Sequence, residues 1–410
     1  MNQDKPDRQF IRTHADDDVR QLALQASRYS DVDMPWALDQ IAGRQTARRK
    51  LPSWAAIDDI IYPPHISMEQ CSSEFTARYK AEVAARLMLG SGRLPSGTEA
   101  DAEEEKRTTL VDLTGGFGVD FSFMARGFDE AVYVERQRHL CDAATSNFRL
   151  LDLPQAKVVC GDGVDYLHSL TCASLIFLDP ARRDANGGKT VAISDCTPDV
   201  LAMKEELLSK SQYVMLKLSP MLDWHKAVDD LGNVAELHIV SSGNECKELL
   251  LVLSASYDGP LSIYCVNDGD VLNYSLSTDV AAVPISDEIP VGSYLYEPNA
   301  SAMKAGCFGV LCARYGVKGV GCNSHLFVSP DEIGDFPGRK FQISAISSMN
   351  KKELKRNLLG MEKANIAVRN FPMSVAELRK RLNLKDGGDA YLFATTIGDR
   401  EHVIIVCRKR

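Results

Sequence analysis

Short apolar segments that alternate with helical stretches constrain the fold of this chain more than any other feature. Each segment has five to eight residues, and strands that alternate with helices are typical of a mostly parallel sheet covered on both faces. The last two are separated only by SGNECK, which is too short for a crossover helix, so we expect an antiparallel hairpin at the sheet edge. The segments are TLVDL, AVYVE, AKVVCGD, ASLIFLD, YVMLKLS, AELHIVS and ELLLVLSA.

The regions on either side of this block differ from it in pattern. Residues 1–95 carry apolar side chains at helical spacing and predict a helical N-terminal domain. Ser67 and Gln70 form a capping-box pattern, so we expect one helix from Ser67, with Lys80 and nearby polar residues facing either a ligand cleft or solvent. Residues 258–410 predict a smaller α+β domain. The predicted fold class is α/β, with a Rossmann-like domain at residues 107–257 between these two domains.

The first strand ends at Asp112 and leads into a turn that contains Gly115, Gly116 and Gly118. In an open α/β sheet, ligands bind outside the carboxyl ends of the strands, where backbone amides and a helix N-terminus are available. Glu135 ends the second strand 23 residues after Asp112, where a carboxylate can accept hydrogen bonds from a ribose diol. CGDGVDYL and LDPARR follow the third and fourth strands, so these turns together predict one ligand site.

These motifs resemble those of the class I S-adenosylmethionine-dependent methyltransferases over about 150 residues. In that resemblance Asp112 is the acid of the glycine motif, and Thr114 replaces its first glycine, which looks more like the branches that modify nucleic acids. The resemblance implies a seven-stranded sheet, S-adenosyl-L-methionine as cofactor, Glu135 at its ribose and Asp162 at its adenine amine. The predicted cofactor-binding residues are Asp112, Thr114, Gly115, Gly116, Gly118, Asp120, Glu135, Asp162 and Gly163. A nicotinamide enzyme is the alternative, but it would favour a closer match to G-x-G-x-x-G.

The segment DPARR occupies the position where amino-group methyltransferases of nucleic acids carry an acid or amide, two prolines and an aromatic residue. The resemblance implies that Asp179 and the carbonyl of Pro180 accept hydrogen bonds from an exocyclic amine and favour the pyramidal nitrogen that attacks. Ala181 replaces the second proline, and Arg182 replaces the aromatic residue; arginine can stack on a base or clamp a phosphate. We predict Asp179, Pro180 and Arg182 as catalytic and Arg183 as substrate-binding, with a surface loop as the alternative for the two arginines.

The segment after the fifth strand, LKLSPM, lacks the cysteine that the uracil-modifying relatives use for pyrimidine C5 methylation, which disfavours that chemistry. Lys217 lies at the same edge of the sheet, and we predict that it binds substrate. A lysine that extends into solvent is the alternative. Methyl transfer is an in-line displacement that needs near-attack geometry, and no metal ion is predicted.

The formal net charge is −9, yet residues 338–381 contain eleven Lys and Arg against three acids, a local charge of +8. Such a stretch attracts polyanions. The tail resembles the THUMP-like modules appended to bacterial methyltransferases, and the chain as a whole resembles a bacterial family of predicted RNA methyltransferases. Few aromatic residues interleave with the charges, which favours structured RNA over a single strand. The substrate-binding residues predicted here are Lys351, Lys352, Lys355 and Arg356, with a solvated helix face as the alternative.

These observations predict a cytoplasmic S-adenosylmethionine-dependent methyltransferase that acts on an amino or ring nitrogen of a base in rRNA or tRNA. One alternative is a methyltransferase for a small molecule or a protein, and another is a non-catalytic RNA-binding module that retains the cofactor fold. The sequence contains no signal-peptide pattern and no apolar run of about 20 residues. Its eleven cysteines form no C-x-x-C pair, which favours reduced thiols in a cytoplasm.

Overall fold

The computed structural model describes residues 5–90, 107–182, 193–276, 283–286, 288–398 and 401–409. The chain divides into two compact units. Unit 1 comprises Met1–Glu236 and Leu249–Gly259, and unit 2 comprises Leu237–Glu248 and Pro260–Arg410. Within the described ranges, no helix is both long and apolar enough to cross a lipid bilayer.

The first part of unit 1 is helical. Its helices are α1 (Lys5–Thr13), α2 (Val19–Leu24), α3 (Met34–Lys50), α4 (Pro52–Ala55), α5 (His65–Gln70) and α6 (Glu74–Gly90), with a 3-10 turn at Ala26–Arg28. Aspartates cap two of them: Asp18 accepts hydrogen bonds from the backbone at the start of α2, and Asp33 does the same for α3. Such caps satisfy backbone N–H groups that have no partner inside the helix.

The single helix expected from Ser67 is two helices, α5 and α6. Ser67 lies inside α5 and does not cap it. The chain breaks between the two helices, and Ser73 Oγ then accepts the N–H of Thr76 at 3.3 Å at the start of α6. The prediction was therefore wrong about where this helix begins, because the capping oxygen comes from a later serine.

The second part of unit 1 alternates strands and helices. The strands are β1 (Thr109–Asp112), β2 (Glu130–Glu135), β3 (Ala156–Cys160), β4 (Ala173–Leu178), β5 (Ala181–Arg182), β6 (Cys196–Thr197), β7 (Ser211–Leu218), β8 (Val234–Ser242) and β9 (Glu245–Leu253). The helices are α7 (Val119–Met124), α8 (Arg138–Leu150), α9 (Gly163–Ser169), α10 (Val200–Lys210) and α11 (Trp224–Leu231), with 3-10 turns at Ala125–Gly127 and Ile193–Asp195.

The main sheet has nine strands in the order β11-β10-β8-β9-β7-β4-β1-β2-β3, in which β10 (Ser262–Asn267) and β11 (Asp270–Ser275) follow β8. The strands β3, β2, β1, β4 and β7 pair in parallel, whereas β9 is antiparallel to β7. The division between the units falls within the β8–β9 hairpin. The start of β8 and the end of β9 belong to unit 1, and the part between them belongs to unit 2. This arrangement confirms the predicted Rossmann-like, mostly parallel sheet. The seven predicted strands are extended by β10 and β11, so the β8–β9 hairpin does not lie at the edge of the sheet.

The helical part and the sheet of unit 1 share one hydrophobic core. Leu175 and Phe177 of β4 lie in this core together with Trp54 of α4 and Val83 of α6. The ring of Trp54 packs edge-on against Phe117 in the glycine-rich turn, with 4.9 Å between the ring centroids. The N-terminal helices therefore support the turn that follows β1.

Two buried amide side chains, one on α8 and one on α3, hold the segment before α5. Asn147 accepts the N–H of Ile61 and donates to its carbonyl, both at 2.8 Å. Gln40 makes the same pair of hydrogen bonds with Tyr62, at 2.8 and 2.9 Å. The segment before α5 is thus held on two sides, as a strand would be held by its neighbours.

Unit 2 contains the end of the β8–β9 hairpin and the remaining elements. The strands are β10 (Ser262–Asn267), β11 (Asp270–Ser275), β12 (Tyr294–Pro298), β13 (Lys318–Gly319), β14 (Phe327–Ser329), β15 (Gly338–Ser348), β16 (Asn365–Val368), β17 (Ala390–Ile397) and β18 (Glu401–Lys409). The helices are α12 (Ala300–Ala305), α13 (Phe308–Tyr315), α14 (Lys351–Asn357) and α15 (Val375–Leu382).

Most of these strands form a seven-stranded sheet with the order β13-β14-β12-β15-β18-β17-β16. Alternate residues of β18 enter different cores: Val403 and Ile405 pack on one face, whereas Ile404 and Val406 pack on the other with Leu354 of α14. Helices therefore cover at least one face of this sheet. The predicted fold class, with a helical N-terminus and a smaller α+β C-terminal region, is confirmed.

The sequence did not reveal β15, which is the longest strand of unit 2 at 11 residues. The predicted first domain boundary falls on residues 91–106, which lie outside the described residues. The division into three domains stays a prediction.

Asn147→Ala should lower the free energy of unfolding by about 2–3 kcal/mol, because it leaves the N–H and the carbonyl of Ile61 without their partner. Ser146→Ala on the same helix is the matched control and should change it by less than about 0.5 kcal/mol. Urea denaturation of both variants measures the difference. Equal midpoints for the two variants would mean that water replaces Asn147 at no cost.

Candidate functional site

Each position in the turn after β1 that carries glycine requires it for a different physical reason. A Cβ on Gly115 would lie 2.2 Å from the ring of Tyr133, so no side chain fits there. Gly116 and Gly118 have φ angles of +55° and +82°, in the left-handed region that glycine enters without strain. Apart from its chain neighbours, the nearest heavy atom to a Cβ on Gly116 would be 3.7 Å away. The turn therefore presents bare backbone to a ligand.

Glu135 at the end of β2 holds the glycine turn in place. Its Oε2 accepts the N–H of Gly116 at 3.0 Å, and its Oε1 accepts the N–H of Gln137 at 2.8 Å. Each carboxylate oxygen keeps a further lone pair for a ligand. Tyr133 donates its hydroxyl to the carbonyl of Gly116, and burial raises the pKa of this phenol, so it remains a donor.

Asp112 at the end of β1 is a buried carboxyl. Its side chain is 1% exposed, and its Oδ1 accepts the N–H of Thr114 at 2.9 Å. Burial raises the pKa of Asp112 well above its ordinary value, and the nearby carboxylates of Asp120, Asp179 and Glu135 act in the same direction. Both effects disfavour the charged form until a cation arrives.

Thr114 joins the end of β1 to the end of β4. Its hydroxyl accepts the N–H of Asp179 at 2.6 Å. The glycine that the resemblance implies at this position would lack the hydroxyl. The substitution therefore fixes the first residue of the DPARR segment against the glycine turn.

Asp179 combines one occupied carboxylate oxygen with one available oxygen. Its Oδ2 lies 2.5 Å from Nζ of Lys217, and its side chain is 40% exposed. Within the described part of the chain, Oδ1 has no hydrogen-bond partner. Pro180 is buried, and the backbone of Arg182 pairs with Cys196 of β6. Arg183 and the side chain of Arg182 lie outside the described residues.

Asp179 is one end of a network of alternating charges that continues through Lys217 and Asp120 to Lys80. Lys217 Nζ also lies 3.6 Å from Asp120 Oδ2, and Lys80 Nζ lies 3.2 Å from Asp120 Oδ1. The side chain of Lys80 is 0% exposed and that of Lys217 is 12% exposed. Ser72 donates its hydroxyl to Asp120 at 2.8 Å. Lys217 is thus held inside the protein and does not extend into solvent.

The charge of Asp120 depends on its lysine neighbours. Burial would raise the pKa of this carboxyl, but the ammonium groups of Lys80 and Lys217 outweigh burial and lower it. Asp120 is therefore an ionised group in a buried position, stabilised by two cations from different elements.

Asp162 and Gly163 bring the loop after β3 next to the glycine turn. Asp162 is exposed and caps α9, with its Oδ1 accepting the N–H of Val164 at 2.8 Å. A Cβ on Gly163 would lie 2.1 Å from the carbonyl oxygen of Leu113, so only glycine permits this approach. The ends of β1, β2, β3 and β4 thus bring the predicted acids to one edge of the sheet.

The sequence allows the polar side chains around the start of α6 to face either a ligand cleft or solvent. Thr76 and Lys80 are buried, whereas Gln70 is exposed. Ser72, which the sequence analysis did not single out, reaches the charge network. The available signal was spacing, because Lys80 lies four residues from Thr76 and from Ala84 on the buried face of the helix.

The predicted RNA-binding residues of unit 2 lie on one short helix, α14. Lys351, Lys352, Lys355 and Arg356 are exposed, whereas Leu354 faces the core. Asn350 caps the helix by accepting the N–H of Lys352 at 2.9 Å. Among the described residues, none of the three lysines has an ion-pair partner. The helix therefore presents uncompensated positive charge.

Two family models match the C-terminal part of the chain. A ferredoxin-like domain matches residues 294–337, and a model described as THUMP domain-like matches residues 338–409. The resemblance of the tail to THUMP-like modules is thereby confirmed. In the structure both ranges contribute to one seven-stranded sheet, in which β12 of the first range pairs with β15 of the second.

Among solved structures, one described as a "putative methyltransferase" from Porphyromonas gingivalis W83 is 30% identical to this chain. It covers 98% of this chain and 97% of its own, with a TM-score of 0.82. An O-methyltransferase from Bacillus cereus in complex with SAH is 13% identical over 54% of this chain and 98% of its own, with a TM-score of 0.34. An rRNA methylase from Streptococcus thermophilus is 12% identical over 43% and 93%, with a TM-score of 0.30. No curated protein matches the sequence.

Lys80→Met should lower the free energy of unfolding by about 3–5 kcal/mol, because it removes one of the two cations that stabilise buried Asp120. Lys226→Met, at an exposed lysine that pairs with Asp230, is the control and should cost less than about 1 kcal/mol. Thermal and urea denaturation of both variants measure this. The double variant Lys80→Met/Asp120→Asn should recover part of the loss; a loss as small as in the control would contradict a shared buried charge.

Proposed function

This chain belongs to the family of class I methyltransferase-fold proteins with a THUMP-like C-terminal domain, and we propose that it methylates a base of structured RNA, rRNA or tRNA, with S-adenosylmethionine as the methyl donor. One observation carries the proposal. Three carboxyl groups, those of Asp112, Glu135 and Asp179, converge on a glycine turn whose backbone is uncovered. Such a site suits a ligand that carries both a sugar and a positive charge.

The residues at the strand ends fit S-adenosylmethionine on chemical grounds. When bound, this cofactor supplies an electrophilic methyl group on a positively charged sulfur. Glu135, whose carboxylate is already oriented by two backbone N–H groups, accepts hydrogen bonds from the ribose diol. Asp162 would accept a hydrogen bond from the adenine amine. Gly116 and Gly161 leave room, since a Cβ on Gly161 would meet nothing within 4 Å.

The remaining residues of the predicted set shape this cleft. Thr114 and Gly115 fix the turn, Gly118 starts α7, and Gly163 brings the loop after β3 close. Asp120 adds negative charge beneath the cleft, while its oxygens are held by Ser72 and the two lysines.

Asp179 and Pro180 act on the nucleophile. The exocyclic amine of a base is a weak nucleophile because its lone pair is conjugated with the ring. Asp179 Oδ1 accepts a hydrogen bond from this amine, and the Pro180 carbonyl accepts a second, which favours the pyramidal nitrogen. Lys217 fixes the other carboxylate oxygen, so the acceptor keeps its direction. A stacked base must first leave its helix, at a cost of a few kcal/mol.

The RNA part of the proposal is supported by the THUMP-like match and by the exposed cations of α14. A net charge of −9 for the whole chain opposes binding of a polyanion at random positions, so a local positive surface has to provide the attraction. Contacts between lysines and phosphates provide it without reading the sequence. We retain from the sequence the assignment of Arg182 as catalytic and of Arg183 as substrate-binding.

Asp112→Asn and Glu135→Gln should each weaken S-adenosylmethionine binding about 10- to 100-fold, because each removes a charged partner of the ligand. Asp142→Asn, at an exposed acid on α8, is the matched control and should bind like the wild type. Titration calorimetry measures all four proteins. Absence of binding in the wild type, with and without added RNA, would refute the cofactor assignment.

Replacing Lys351, Lys352 and Lys355 together by alanine should weaken binding of total tRNA and rRNA and reduce the slope of log affinity against log salt by about 3. The charge-matched control replaces the exposed residues Lys157, Lys247 and Lys318. Filter binding at several salt concentrations measures both slopes. If the two triple variants behave alike while S-adenosylmethionine still binds, α14 is not the RNA-binding surface, and a small-molecule or protein substrate is favoured.

A further inference from the structure

The helical part of unit 1 contains a pocket whose lining includes none of the residues at the strand ends. It is open to solvent, and a water-sized sphere can occupy about 50 Å³ inside it. Its apolar wall comes from Ile11 of α1, Trp36 of α3, and Ile57, Ile60 and Tyr62 from the segment between α4 and α5. A pocket of this volume admits only the edge of a ligand, and the other atoms of the ligand would lie on the surrounding surface.

A buried hydroxyl in this pocket lacks a partner. Tyr62 is 5% exposed, and among the described residues its hydroxyl has no hydrogen-bond partner. Burial raises the pKa of this phenol to about 12, so at neutral pH it carries a proton to donate. Buried polar groups in folded proteins are nearly always hydrogen-bonded, and an exception requires an explanation. An acceptor atom on a ligand would supply the missing bond.

Trp36 offers a flat surface in the same wall. Its side chain is half-buried, and no aromatic ring in the described ranges contacts it. Stacking of a nucleobase on an aromatic side chain contributes about 1–3 kcal/mol. The pocket thus combines a stacking surface with a hydrogen-bond donor for the edge of a base.

Arginines surround the pocket. Arg8 and Arg12 lie 3.1 and 3.3 Å from the carboxylate of Asp59, and Arg44 lies 2.9 Å from Asp58. Three cations therefore face two anions. Each of these contacts engages one guanidinium nitrogen, and a guanidinium has five N–H donors, so donors remain for a phosphate. The side chain of Arg12 is 60% exposed, which makes it the most accessible of the three arginines.

We propose that a single unstacked nucleotide binds at the mouth of this pocket, with its base stacked on Trp36, a base acceptor atom on the Tyr62 hydroxyl, and its phosphate at Arg12. The same chemistry is present in a free nucleoside monophosphate and in an unpaired nucleotide of an RNA. The proposal does not depend on the methyl-transfer function, because none of the pocket residues belongs to the proposed cofactor site.

Titration of the full chain with AMP, GMP, CMP and UMP, followed by tryptophan fluorescence and calorimetry, tests the proposal. Among the three tryptophans, Trp54 and Trp224 are 1% and 3% exposed, so Trp36 is the one that a ligand can reach. We expect saturable quenching by at least one nucleotide below about 1 mM, and the loss of this signal in Trp36→Leu. The corresponding nucleoside, which lacks the phosphate, should bind more weakly.

Tyr62→Phe is the decisive variant, because it removes only the hydroxyl and keeps the ring that packs near Phe117. It should weaken nucleotide binding about tenfold, equivalent to one hydrogen bond of about 1.4 kcal/mol, without lowering the unfolding temperature. Tyr29→Phe, at a half-buried tyrosine of the same region that does not line the pocket, is the control. Unchanged nucleotide binding in Tyr62→Phe would overturn the proposal.

Two further comparisons are needed. The first distinguishes RNA from a free nucleotide as the source of the ligand, and the second distinguishes the pocket from the proposed cofactor site. Tighter binding of a single-stranded octaribonucleotide than of any mononucleotide identifies RNA as the source, and the reverse identifies a free nucleotide. Asp112→Asn should leave the nucleotide titration unchanged, so the pocket can be tested even if the proposed cofactor site fails. No quenching and no heat with any of these probes would overturn the proposal.

Discussion

The candidate site depends on the charge of one buried carboxylate, that of Asp120. Lys80 on α6 and Lys217 at the end of β7 both pair with it, and Lys217 then reaches Asp179. A buried charge without a partner costs several kcal/mol, so α6, α7 and β7 are fixed relative to one another. The helical part of unit 1 is thus a component of the site, since it contributes one of the two cations that lower the pKa of Asp120.

Much of the fold and of the site could be predicted because the responsible constraints act locally. Strands buried on both faces are apolar throughout, and the left-handed turn at Gly116 and Gly118 admits few residues other than glycine. The burial of Lys80 could not be predicted in this way, because it is decided by Asp120, which lies 40 residues further along the chain. Strand β15 was missed for a related reason: GRKFQISAISS contains many polar residues, and its pairing with β12 and β18 provides the stabilisation.

Departures from a sequence motif become interpretable once their neighbours are known. Thr114 breaks the glycine pattern, yet its hydroxyl holds the backbone of Asp179, so the change replaces flexibility with a fixed link between two strand ends. A pattern read along the chain cannot show this, because β1 and β4 are neighbours in space but not in sequence. The same holds for Asn147, whose side chain substitutes for a neighbouring strand at Ile61.

Burial of Asp112 has a consequence for how the cleft handles protons. Since burial and the surrounding carboxylates raise its pKa, Asp112 holds a proton more strongly than an exposed aspartate does. A cationic ligand that approaches this group stabilises the ionised form, and the proton leaves as the ligand enters. Under the proposed function, a product that has lost its positive charge would no longer stabilise the ionised form of Asp112.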